Sequence, residues 1–142
     1  KVMKIQYTAL PDESIKKLAE AQHEQYEQEH SVFFGFTPFQ LVAREEGEIA
    51  GVLSGWAVYR EIMVDDLVVF AKYRGQGAGR KLLAEAEKLF PEREIDYAHL
   101  VTNGFQAPGF YEKCGYTLEF VRRSPKDPKY DKYYYSKALN RS

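Results

Sequence analysis

The chain has 142 residues and one cysteine, Cys114, so no internal disulfide can form and a reducing, cytoplasmic setting is expected. Long hydrophobic runs are missing too. Nothing approaches the roughly 18 apolar residues of a membrane span, and no signal-peptide stretch opens the sequence, so no membrane partner is expected. Charge of one sign is scarce in the sum, with 20 Lys and Arg against 21 Asp and Glu leaving −1. Proteins that coat nucleic acid carry a clear positive excess, so no nucleic acid is expected as a partner. His23, His30 and His99 lack metal-ligand spacing; surface or packing roles are expected, and no metal. Repeats and low-complexity segments are absent. The length suits a single domain over 1–142, large enough to bury a core and a cleft.

The near-zero sum hides an uneven distribution. Residues 12–30 carry −4, residues 72–93 carry +3 and residues 121–142 carry +5. Each run reads either as a solvated face or as one side of a charged site.

Hydropathy patterns alternate between strand and helix. Residues 2–8 read as a first strand. Pro11-Asp12-Glu13 opens a helix whose Ile15, Leu18, Ala19, Gln22 and Tyr26 share a face to about residue 29. Residues 39–44 and 49–59 form a hairpin around Glu46-Gly47, and residues 62–70 form a further strand. Leu82, Leu83, Ala86, Leu89 and Phe90 mark an amphipathic helix before Pro91. Residues 98–102 make a buried strand. Pro108 opens a short helix that Gly115 stops, and residues 116–121 and 133–139 close the order as strands. This is an α/β (α+β) pattern, a mixed sheet with helices on its faces.

The most informative stretch is Tyr73-Arg74-Gly75-Gln76-Gly77-Ala78-Gly79-Arg80-Lys81, three glycines between a strand and a helix N-terminus. Such a turn exposes successive N–H groups beside the positive end of a helix, which suits an anion. A dinucleotide fingerprint needs its last two glycines three apart; Gly77 and Gly79 are two apart. A P-loop needs Gly-Lys-Ser/Thr, whereas Arg80 and Lys81 follow Gly79. Both matches fail.

Arg74-x-x-Gly77-x-Gly79 resembles the acyl-CoA pyrophosphate loop of the GNAT superfamily of N-acetyltransferases. Some thirty residues later, Phe105-Gln106-Ala107-Pro108-Gly109-Phe110-Tyr111-Glu112-Lys113-Cys114-Gly115-Tyr116 resembles the superfamily's following helix and strand, and its Phe-Gln-Ala-Pro start resembles a bacterial subgroup. The resemblance covers roughly residues 39–139. It implies a mostly antiparallel sheet with a splayed central strand pair and flanking helices. It further implies acetyl-CoA as cosubstrate, no metal, and direct acetyl transfer to a primary amine of a small molecule; a homodimer is allowed. A protein Nα or Lys acceptor and a noncatalytic acyl-CoA sensor remain the alternatives.

By the same resemblance, Leu67, Val68 and Val69 pair with the pantetheine arm, and the backbone of Arg74, Gly75, Gln76, Gly77, Ala78 and Gly79 holds the pyrophosphate with Arg80 nearby. An alkyl amine of pKa ~10.4 is almost fully protonated at neutral pH, so a proton acceptor is needed. Asp66 is the first candidate and Asp65 the second; alternation puts them on opposite faces, and a bulge would exchange them. A water chain is the other route. Tyr111 stands where the superfamily's general acid often lies, although with Phe110 and Cys114 it also reads as a core face. Many relatives carry an Asn seven residues before the Tyr, contacting the pantetheine; that place holds Gly104 here, and Asn103 lies one residue earlier. Cys114, on an apolar face without a His partner, reads as core. Trp56 and the Tyr130, Tyr133, Tyr134 and Tyr135 group suit an acceptor pocket or a core. The acidic run at 12–30 would attract a cationic amine, which salt would weaken.

Overall fold

The computed structural model describes residues 2–141, which divide into two compact units, one ending at Phe34 and the other beginning at Gly35. In the first unit, α1 (Glu13–Glu29) starts where Asp12 accepts hydrogen bonds from the N–H groups of Ser14 (2.8 Å) and Ile15 (3.3 Å). The Ser14 hydroxyl, then these two N–H groups, hold the Asp12 carboxyl below the usual carboxylate range. The strand expected at residues 2–8 does not form. Alternation supplies a face, but a strand exists only through a paired neighbour; this segment pairs with none, and Val2, Met3, Ile5 and Tyr7 stay exposed.

The second unit holds six strands: β1 (Thr37–Glu45), β2 (Glu48–Val58), β3 (Glu61–Val69), β4 (Tyr97–Asn103), β5 (Thr117–Arg122) and β6 (Lys132–Ala138). Their order across the sheet is β1-β2-β3-β4-β6-β5, antiparallel throughout except for β3 beside β4. Glu46 and Gly47, both at positive φ, make the tight turn between β1 and β2. Helix α2 (Ala78–Ala86) presses Leu82, Leu83 and Ala86 onto the sheet face carrying Leu53, Ala57, Ile62, Val64, Ala98, Leu100 and Tyr135. Burying each large aliphatic of that set is worth roughly 1.5–3 kcal/mol.

The helix is shorter than its apolar pattern predicts. It stops at Ala86, and Phe90 turns to positive φ ahead of Pro91. The Arg141 guanidinium donates to the carbonyls of Glu87 (2.6 Å) and Phe90 (2.9 Å), satisfying acceptors that a longer helix would have used. Helix α3 (Gly109–Lys113) is a single short turn stopped by Gly115 at φ +92°. No helix among the described residues is long and apolar enough to cross a membrane.

The central feature is the contact of β3 with β4. Only three pairs hold it, Glu61 with Tyr97, Ile62 with Ala98 and Met63 with His99, after which the strands part. Arg60 locks the closed end, giving two hydrogen bonds to Asp96 (2.7 and 3.0 Å) and one to Glu94. A bulge opens the other end: Gly55 pairs with Val64 and Ser54 with Asp66, leaving Asp65 without a partner. Gly55 makes the bulge possible, because a Cβ there would lie 2.1 Å from the Met63 carbonyl oxygen.

Candidate active site

Beyond the bulge, β3 keeps its ladder to β2 on one side and has no strand on the other. The Phe70 N–H donates to the Ala50 carbonyl, so by alternation Val68 also turns its backbone toward β2 while Leu67 and Val69 turn theirs to the open side. Consistently, the Val69 carbonyl accepts from Arg74 Nε at 3.3 Å. Backbone groups left this way require partners from outside the sheet.

The chain then makes one 3-10 turn, Ala71–Tyr73, pinned to the start of β2 by Glu48, which accepts from Lys72 Nζ (2.9 Å) and from the Tyr73 hydroxyl. These two donors, Tyr73 first, lower the Glu48 carboxyl below its ordinary range; the same bond raises the Tyr73 phenol. From this fixed point the glycine turn delivers α2. Gly75 (φ +78°) and Gly77 (φ +85°) occupy left-handed backbone, with Gly77 as the residue before the helix. Gly79 serves packing instead, since a Cβ there would sit 3.0 Å from the Phe110 ring and 3.5 Å from Val69.

A cleft of about 540 Å³ lies between these parts. Leu67, Val68 and Val69 form one wall, Arg74, Gly75, Gly77, Ala78, Gly79 and Arg80 another, and Gln106, Ala107, Phe110 and Tyr111 the third. Of the residues singled out in the sequence, Gln76 is elsewhere: it lines a smaller cavity with Arg44 and Lys81, and its amide donates to the Lys72 carbonyl at 3.4 Å. Asp65 and Asp66 stand on β3 outside the cleft lining. Asp66, in register with Ser54, nonetheless lies close enough for its charge to raise the Tyr111 phenol.

Tyr111 is half-buried, with its ring against Phe110 (5.2 Å between centroids), Tyr135 (5.8 Å) and Tyr116 (6.2 Å). Burial raises its pKa above the ordinary phenol value, with Cys114 and Asp66 adding to the effect. Its hydroxyl makes no hydrogen bond among the described residues, so a protonated phenol is available to whatever enters. Behind it, Glu87 accepts from Lys137 Nζ (2.8 Å) and the Tyr116 hydroxyl (3.1 Å), and Lys137 also donates to the Cys114 carbonyl (3.2 Å). This ties the end of α2 to the end of α3. Cys114 is buried, its thiol raised by desolvation, and takes no part in the cleft lining.

Gly104 has a structural reason of its own. Its N–H donates to the Asp131 carbonyl (2.9 Å), and a Cβ would lie 2.6 Å from the Pro128 carbonyl oxygen, so the basic tail's loop occupies the space of a side chain. Buried Asp131 anchors that loop by accepting from the Ser124 N–H (2.7 Å) and Arg123 (2.9 Å), which lower its pKa in that order. Trp56 packs at a tilt against Phe36 (5.9 Å between centroids) and Tyr135 is core; neither lines the cleft.

Gln106 and Ala107 are lining residues that their sequence context did not mark as such. Ala107 adopts positive φ, against the extended backbone that a proline immediately after it favours.

Comparison with known proteins gives the geometry a setting. Residues 3–116 match the model of the Acetyltransferase (GNAT) family. A blasticidin-S acetyltransferase from Streptomyces morookaense is 43% identical over 75 residues, 52% of this chain and 55% of that protein. The chain thus matches about half the length of this curated relative. Among solved structures, an acetyltransferase from Bacillus cereus ATCC 14579 is 25% identical and covers 94% of this chain and 98% of its own at a TM-score of 0.76. Nourseothricin acetyltransferase, also 25% identical, covers 72% of this chain and 65% of its own at 0.62.

Proposed function

The chain belongs to the GNAT acetyltransferase family, and from that premise we propose that it transfers an acetyl group from acetyl-CoA to a primary amine of a small molecule, by direct attack when both substrates are bound. The observation that carries this reading is one cleft bounded by an open strand edge, a glycine turn and a protonated tyrosine. Acetyl-CoA, when bound, supplies an activated thioester. The residues present fit it: Leu67 and Val69 offer backbone donors and acceptors to the amides of the pantetheine arm, completing the sheet as an added strand would. The N–H groups of Gly75, Gly77, Ala78 and Gly79, with the Arg74 and Arg80 guanidiniums, suit the pyrophosphate at the start of α2.

In the transfer, the amine nitrogen forms a bond to the acetyl carbon and the carbon–sulfur bond breaks. The amine must shed a proton, and Asp66 is the acceptor we assign, with Asp65 in second place. What supports that choice is that its charge is felt at Tyr111, where it helps raise the phenol. Tyr111 gives its proton to the departing thiolate. Positioning and water exclusion supply much of the remaining acceleration.

The relative's name, blasticidin-S acetyltransferase, supports a small-molecule acceptor of the antibiotic type. The test is release of free CoA thiol from acetyl-CoA over a panel of amines that includes blasticidin S, polyamines and N-terminal peptides. Turnover confined to small amines is the expected result. Turnover only with peptides would overturn the acceptor class, and tight acetyl-CoA binding without turnover on any amine would overturn the catalytic reading.

A further inference from the structure

Tyr111 takes its direction from a cluster behind the cleft, since its hydroxyl makes no hydrogen bond among the described residues. The helix that carries it, α3, is one turn of five residues, too short to hold its own shape, with left-handed backbone before it at Ala107 (φ +54°) and after it at Gly115 (φ +92°). Its far end is fastened from outside. The Tyr111 carbonyl accepts from the N–H groups of Cys114 (3.0 Å) and Tyr116 (3.0 Å), and the Cys114 carbonyl accepts from Lys137 Nζ (3.2 Å). The same ammonium stands 2.8 Å from Glu87 Oε1 and 5.8 Å from the centre of the Tyr116 ring. Glu87 in turn accepts from the Tyr116 hydroxyl (3.1 Å), and Tyr116 packs on the Tyr111 ring at 6.2 Å. One cation thereby meets the residue that caps α2, the residue that caps α3 and the ring beside Tyr111. Gly115 leaves it room, because a Cβ there would lie 3.3 Å from Lys137 Cε and Nζ.

Stability alone does not account for this pair. The Glu87 and Lys137 side chains are 14% and 32% exposed, and the desolvation of two such charges offsets their attraction, so an apolar pair of like volume would hold the fold as well. What an apolar pair lacks is direction, which an ammonium aimed at two fixed acceptors supplies. We propose that Lys137 is a positioning residue: by tying the capped ends of α2 and α3 together, it holds the turn at the angle that keeps the Tyr111 hydroxyl in the cleft. The inference rests on the general-acid reading of Tyr111 given above. Because α2 begins at the glycine turn assigned to the pyrophosphate, the same tie sets the span between the held end of the cofactor and the acid that meets its sulfur. Misplacing a reacting group by about 1 Å costs up to ~100-fold in rate, so a loosened turn is felt in catalysis before it is felt in binding.

Lys137→Met keeps an aliphatic stem over the Tyr116 ring and removes both donations. Thiol release at saturating substrates should fall about three- to tenfold, with acetyl-CoA affinity by calorimetry within about twofold of the parent. The discriminating readout is the same substitution made on top of Tyr111→Phe, where it should cost less than about twofold because the acid it positions is already gone. Equal losses in both backgrounds overturn the proposal, since they report a general structural defect. An unchanged kcat in the single variant overturns it too, as does a loss confined to acetyl-CoA affinity. If Lys137→Met folds poorly because Glu87 is left charged and unpaired, Glu87→Gln combined with Lys137→Met removes that charge and keeps an acceptor for the Tyr116 hydroxyl; it should show the same loss and the same coupling. Amide exchange reads the turn without turnover. The Cys114 and Tyr116 N–H groups should exchange at least about fivefold faster in Lys137→Met, with Leu82 and Leu83 of α2 unchanged, and no acceleration overturns the proposal. Tyr111→Phe at the parent rate is a separate result: it overturns the general-acid reading, while the exchange measurement still decides whether Lys137 holds the turn.

Discussion

Removing one oxygen from Tyr111 isolates the proton that the account gives to the thiolate. In Tyr111→Phe the ring keeps its contacts with Phe110, Tyr135 and Tyr116, and no hydrogen bond of the free protein is broken. Stability should therefore move by no more than about 0.5 kcal/mol. Catalysis should not escape so lightly. A positioned general acid contributes ~10²–10⁴ in rate, and because a thiolate of pKa ~8.5 is already a fair leaving group, the loss belongs near the lower end, at least about tenfold, or ~1.4 kcal/mol of barrier. The loss should fall on kcat, with acetyl-CoA affinity unchanged. The pH profile adds a second handle. Since burial, then Cys114 and Asp66, raise the phenol's pKa, the unaltered enzyme should gain activity as the amine loses its proton and hold it to above about pH 10. The assay is thiol release at saturating acetyl-CoA from pH 6 to about 10.5. A variant within about twofold of the parent across that range would refute the role.

Three further outcomes follow from the same geometry. Gly55→Ala forces a Cβ to within 2.1 Å of the Met63 carbonyl, so the bulge must flatten; a stability loss of about 1–3 kcal/mol is expected in urea unfolding, with acetyl-CoA affinity reduced as the splay narrows. Arg80→Ala should weaken acetyl-CoA binding about three- to tenfold and shrink its salt dependence, measured by calorimetry at two ionic strengths. Asp131→Asn should be less stable than the parent at pH 7. Asp131 has a depressed pKa in the folded chain, so its contribution is present above its unfolded value near ~3.9 and fades as pH falls through the folded one; the gap between the two proteins should close on acidification, as seen in unfolding midpoints between pH 7 and about 2.5.

Much of this fold is legible in the residues because local rules and packing agree. The Glu46-Gly47 turn, the helix behind Asp12 and the glycine turn before α2 each rest on backbone preferences that no distant contact overrides. Where tertiary pairing decides, the pattern misleads. Residues 2–8 alternate like a strand yet find no neighbour, and the apolar stripe through Leu89 and Phe90 outruns the helix because Arg141, fifty residues away, caps it early. The strand order places β6 between β4 and β5, a choice made by pairing partners far apart in the chain.

The candidate site divides along the same line. Nine of the ten residues expected at the cofactor line the cleft, three on β3 and six where a glycine turn at a helix N-terminus fixes its own geometry; Gln76 falls outside because the turn rotates its side chain back onto Lys72. The two aspartates were separable only through the bulge, and the bulge depends on Gly55 across the sheet, a residue that carries no signal on its own. The place of Gln106 in the lining is hidden in the sequence for a related reason: three donors converge on its side-chain oxygen only when β4 and its following turn are folded together.

The central claim is that the open edge of β3 and the glycine turn together receive acetyl-CoA. Amide hydrogen exchange with and without acetyl-CoA tests it most directly. The account predicts new protection at the Leu67 and Val69 amides and at those of Gly75, Gly77, Ala78 and Gly79, with β1 and α1 unchanged. Protection that leaves Leu67 and Val69 untouched, or that appears on the far edge of the sheet, would contradict it.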